Sequence, residues 1–173
     1  MLSGPWVEAQ TSTMTLDDID ANDFYRLIQI IKAGFEGSQI NLGKQENLLS
    51  NLFKTYILAD RYLMVEVKFW IMRSITEHIA RLSNGWSAAF NREVTIGHGS
   101  TRTAELHRAQ MRDICEVYDI IACMDESQTP VQLSDLVNFI VFHCPRPLVV
   151  QMWGEMSSEL INEIGYRLAS SST

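Results

Sequence analysis

The chain has 173 residues, of which 46% are hydrophobic and 20% charged, and it carries a net charge of −7. That length holds one domain, alone or with a helical extension, and the apolar share is enough for a buried core. An acidic balance with lysines and arginines scattered singly argues against nucleic acid or an anionic membrane as partner.

Residues 1–13 are small and polar and read as a tail, without the basic start or apolar run of a signal peptide. Met14-Thr15-Leu16 predicts a short strand, closed by the acidic turn Asp17-Asp18-Ile19-Asp20. A first helix follows, with Asp20 as cap and Asp23 in the first turn, where the helix dipole favours negative charge. Its apolar stripe is Phe24, Leu27, Ile28 and Ile31, and Gly34 and Gly37 end it. After a polar loop over 38–46, a second helix runs from about Asn47 to Asp60-Arg61-Tyr62. It buries Leu48, Leu52, Phe53, Tyr56, Ile57 and Ala59.

A third helix starts close to Val65, with Val67, Ile71, Ile75, Ile79 and Leu82 along one face and Trp70 widening it. Residues 83–101 contain Asn84, Gly85, Gly97 and Gly99. They predict a mobile loop, or a weak hairpin around Val94-Thr95-Ile96. Leu106, Ile114, Val117, Tyr118 and Ile121 then mark a helix from about Thr103 to Met124. Thr129-Pro130-Val131-Gln132 is a helix start, with Thr129 as N-cap and Pro130 at the first position. Leu133, Leu136, Val137, Ile140 and Val141 face inward until Cys144-Pro145-Arg146-Pro147 ends that helix. A closing helical segment carries Leu148, Val149, Met152, Trp153, Leu160, Ile161, Ile164 and Leu168. The expected fold is mostly α, with little or no strand.

No arrangement with the spacing of a catalytic, cofactor or metal site emerges, and the chain reads as a non-enzyme without a cofactor. Asp18, Asp20 and Asn22 match the first ligands of an EF-hand loop, but Asp23 stands where Gly is required and Gln29 where Glu is required. Gly85-Trp86-Ser87-Ala88-Ala89 is a partial match to a nucleophile elbow, yet it follows an amphipathic helix and not a buried strand. A hydrolase built on Ser87 or His98 is therefore the least favoured of the functional readings. Ile96-Gly97-His98-Gly99-Ser100-Thr101 has no Lys for phosphate. His107, Cys115 and Cys123 are spaced eight apart on one helix, about 12 Å between successive members, too far for one ion. His143 and Cys144 are adjacent and poorly placed to chelate together, and His78 reads as a helix histidine. The three cysteines form no CxxC pair, which points to a reduced protein of the cytoplasm or nucleus. Lys68, Arg73, Glu77 and Arg81 interrupt the longest apolar run, so no membrane span is expected.

Phe24-x-x-Leu27-Ile28, then Gly34, then Tyr56-Ile57-Leu58-Ala59-Asp60-Arg61-Tyr62-Leu63-Met64 resembles the C-terminal half of a BTB/POZ domain, in particular of fungal type. Arg61 stands where the family usually has Lys. Val117-Tyr118 and Leu133-Ser134-Asp135-Leu136-Val137 extend the likeness to about residue 169. The resemblance implies a partial BTB/POZ-like domain over 14–82, a linker over 83–104 and a helical extension over 105–173. No counterpart of the family's first strands and helices precedes Met14. An uncovered apolar surface is therefore expected beside the helices carrying Phe24, Leu27, Phe53 and Tyr56, along with self-association. The implied function is a protein-binding scaffold or adaptor, in its extended form a link to a cullin-type ubiquitin ligase. A transcription-associated regulator acting through protein contacts is the alternative. Within the string itself, Leu58 and Ala59 are expected in the core, Asp60 and Arg61 in solvent or capping, and Tyr62 with its ring buried.

Overall fold

The computed structural model describes residues 19–36, 47–96, 101–124 and 129–170. Seven α-helices and no strand occur among the described residues: α1 Ala21–Phe35, α2 Leu48–Arg61, α3 Val65–Ile96, α4 Thr101–Ala122, α5 Leu133–His143, α6 Arg146–Met152 and α7 Ser158–Ser170. A single 3₁₀ turn, Trp153–Glu155, joins α6 to α7. The fold is mostly α, as the hydrophobic periodicity requires. The strand expected at Met14–Leu16 lies outside the described residues.

α1 begins as its sequence dictates. The Asp20 side chain accepts hydrogen bonds from the amides of Asn22 and Asp23, so it is the cap of the helix as expected. The buried face is turned from the one expected, with Leu27 and Ile30 at its centre, Ile31 half-buried, and Phe24 and Ile28 at the surface. Gly34 does not end the helix. A Cβ there would lie 2.1 Å from Cζ3 of Trp70, so the glycine allows α1 and the α3 indole to approach closely.

α2 lies at the centre and packs on α1, α3 and α4. Its own cap is weak, since Asn47 makes no capping hydrogen bond with its side chain. Asp113 of α4 supplies one from a distance: its carboxylate accepts from the amides of Leu49 (2.7 Å) and Ser50 (2.9 Å). Burial pushes the Asp113 carboxyl up from the usual carboxylate range, and the two amides oppose that. Lys54 pairs with Glu116 at 2.6 Å along the same contact. Leu49, Leu52, Phe53, Tyr56, Leu58 and Ala59 are all buried.

The segment expected to be a loop over 83–101 is helix through Ile96, and α4 starts at Thr101. Trp86 explains the continuation. It extends the series Ile75, Ile79, Leu82 by one more turn and is fully buried. Its Nε1 donates to Oε1 of Gln110 at 2.9 Å, and its ring lies 5.5 Å from that of Phe139. Gly85 faces open space, so its cost in the helix, about 1 kcal/mol, is offset by the burial of its neighbour.

In the last third, Leu106 is exposed while Met111, Ile114, Cys115, Val117, Tyr118 and Ile121 face the core. Thr129 is not the cap of α5. That position belongs to Gln132, in extended backbone and without a side-chain capping bond, and the helix starts at Leu133. α5 ends at His143, before Cys144-Pro145, and a new helix starts at Arg146. The chain turns by 119° between α5 and the stretch Arg146–Glu155. Trp153 is exposed, whereas Leu148, Val149, Met152, Leu160 and Ile164 are buried. One buried cluster runs through all seven helices, so residues from both sides of the expected linker share a core.

Candidate protein-interaction surface

The α2–α3 corner is built by the string Leu58–Met64. The amide of Met64 donates to the Ala59 carbonyl and that of Leu63 to the Asp60 carbonyl, each at 2.9 Å. This 6→1 and 5→2 pair is a Schellman motif. Tyr62 is its C-cap, Leu63 the residue that must turn left-handed, and Met64 the residue that packs back against the core. Leu63 accordingly has φ of 56°, the one non-glycine with positive φ among the described residues. Glycine is the usual occupant, and a leucine there is strained by roughly 1–2 kcal/mol. Its side chain returns nothing, being 84% exposed. Tyr62, expected to bury its ring, is 38% exposed as a residue at this C-cap position.

Beyond the corner, α3 carries two apolar stripes. Val67, Ile71 and Ile75 enter the core, while Val65, Phe69 and Met72, at i, i+4 and i+7, lie along the outward face. Val65 is 76% and Phe69 63% exposed. Lys68 stands beside this outward stripe. It donates to Asp60 and sits 5.0 Å from the ring centroid of Tyr56, and the bond to Asp60 raises its pKa above the usual lysine value. Arg73 pairs with Glu77 at 2.9 Å near the opposite flank.

Exposed apolar groups stand both on α1, with Phe24, Tyr25, Ile28 and Phe35, and on the outer face of α3, with Val65, Phe69 and Met72. Of the four residues named for the expected uncovered surface, Leu27, Phe53 and Tyr56 are buried and Phe24 reaches solvent; α1 packs on α2 and α3, and α4 lies across α2. The outer stripe of α3 is legible in the sequence: Val65, Phe69 and Met72 form a second helical period, out of phase with Val67, Ile71 and Ile75.

The residues weighed for chemistry are dispersed. Ser87 lies within α3, not on a strand-to-helix turn, and His98 lies outside the described residues. Ser83 Oγ meets His143 Nδ1 at 2.9 Å, between α3 and α5. His78 is half-buried, and burial lowers its pKa, aided by the charge of Arg81. His107 and Cys115 sit on α4, and Cys123 is exposed just past its end. Burial pushes the Cys115 and Cys144 thiols up to about 12, so both stay protonated and unreactive near neutral pH. No group of three or more metal-ligating side chains clusters among the described residues. No single helix among them is long and apolar enough to cross a membrane.

Comparisons of the chain with protein-family models, with curated proteins and with solved structures return no match.

Proposed function

We propose that the chain is a non-enzymatic protein-interaction module of BTB/POZ-like kind, acting as a scaffold or adaptor in the cytoplasm or nucleus through the α2–α3 corner. The observation that carries this reading is Leu63. A large apolar side chain is held in a left-handed conformation, fully displayed, where glycine would serve the turn better. Next to it, Val65, Phe69 and Met72 place an apolar ridge on the face of α3 that the core does not use. Contiguous exposed apolar side chains of this sort mark surfaces that other proteins cover. Ridges with anchors at i, i+4 and i+7 suit helix-mediated recognition.

Leu63→Gly tests the reading by separating stability from binding. The variant relieves the strained backbone and regains roughly 0.5–1 kcal/mol after glycine's extra entropy in the unfolded chain is counted. Its urea midpoint should rise, while the protein complexes that the native chain forms in cells should be weakened. Full retention of those complexes would remove the functional role of the corner.

A further inference from the structure

The outward stripe of α3 has the pattern of a self-complementary helix seam. Val65, Phe69, Met72 and Thr76 follow one another at intervals of four, three and four residues, the spacing at which side chains line one edge of a helix pair. All four are exposed, and the stripe runs for about 17 Å along the helix. Glu66 and Arg73, seven residues apart, share one flank of this seam, and both are exposed. Lys68 lies on the other flank, its charge offset by Asp60.

We propose that a second copy of this chain occupies the stripe, the two α3 helices packing antiparallel about a two-fold axis between Phe69 and Met72. This rests on the reading of the corner as an interaction surface and names its occupant. In the antiparallel pair, Phe69 of one copy meets Met72 of the other, and Val65 meets Thr76. Glu66 of each copy then lies beside Arg73 of the other, so one heptad supplies two identical opposite-charge pairs. Arg73 leaves or shares its contact with Glu77 of its own helix to make this pair. A parallel pair would set Lys68 against Arg73, like against like, so the charges select the antiparallel arrangement. The two Lys68 side chains approach each other on the far flank, where Asp60 of each copy neutralises them. Leu63, displayed at the end of the stripe, extends the apolar contact beyond Val65.

Sedimentation equilibrium of the purified full chain, from low to hundreds of micromolar, tests the proposal. The expected result is a monomer–dimer equilibrium that Phe69→Glu abolishes, with native helicity retained in the far-ultraviolet spectrum. Glu66→Arg and Arg73→Glu should each weaken self-association at least tenfold, since either change sets like charges across the seam. An equimolar mixture of those two variants should form a mixed dimer of native strength, because both cross-pairs are restored. A native chain that is monomeric throughout overturns the proposal, as does a failure of the two charge variants to complement each other. Complexes with a different protein, sensitive to Leu63→Gly, would in that case leave the interaction surface standing and remove only the second copy as its occupant.

Discussion

The ring of Tyr62 and the side chain of Leu63 sit next to each other at the Schellman turn, and their fates differ from the expectation for the same physical reason. The string Leu58–Met64 is recognisable as a helix junction because Leu58 and Ala59 are small or apolar core residues followed by a polar pair. Which aromatic or aliphatic group then returns to the core depends on backbone hydrogen bonds that composition does not reveal. The bond from the Met64 amide to the Ala59 carbonyl turns Met64 inward and leaves Tyr62 and Leu63 outside. The Asp113 cap was equally hidden, since its partners are 63 and 64 residues away. His78 offers a test of burial at a single side chain. Its folded pKa lies below the ordinary 6.5, so the unfolded chain binds the proton more readily. The stability it contributes is present above that ordinary value and lost as pH falls through the lower folded one. Between about pH 7 and about pH 5, the native unfolding midpoint should therefore drop more than that of His78→Gln. Parallel midpoint curves for the two chains would show that His78 is not desolvated.

Helix existence and order follow from apolar periodicity, whereas helix phase and length do not. α1 was expected to bury Phe24 and Ile28, yet a stripe of Phe24, Leu27, Ile28 and Ile31 is wide enough to allow either edge to face inward. The approach of Trp70 at Gly34 decides the phase, and that contact is tertiary. α3 was expected to stop near Leu82 because Asn84 and Gly85 follow, but breakers on a solvent-facing turn do not end a helix whose next residue, Trp86, is anchored in the core. Two glycine substitutions distinguish these roles by thermal or urea denaturation. Gly85→Ala should stabilise by about 0.5–1 kcal/mol, because the added methyl meets nothing and the helix gains propensity. Gly34→Ala should destabilise by about 1–3 kcal/mol, because the Trp70 ring must move, and Trp70→Leu in the same chain should recover part of that loss. Equal effects at the two positions would contradict the packing of α1 on α3.

The molecule closes on itself through its C-terminal helices. The resemblance to part of a BTB/POZ domain led to the expectation of an uncovered flank beside α1 and α2. On α2 that flank is covered by α4, joined by Asp113 and by the Lys54–Glu116 pair, and α3 reaches α5 through Trp86 and Phe139; on α1, Phe24, Tyr25, Ile28 and Phe35 stay exposed. Such long-range closure is not readable from one sequence, because nothing local tells α4 which face to cover. A fragment ending at Leu82 would lose Trp86, Asp113 and the buried face of α4. Residues 1–82 made alone should show no cooperative unfolding transition, and a sharp transition at native-like midpoint would restore the division into independent parts. Among the apolar groups that the closed core leaves outside are those of the corner and outer stripe of α3, on which the proposed function rests. The most direct check is photo-cross-linking in cells from a photoreactive amino acid in place of Phe69, with the same substitution at Tyr166 of α7, also exposed, as reference. Discrete protein adducts from position 69 and none from position 166 are the predicted result; adducts that are absent at 69, or alike at both positions, would contradict it.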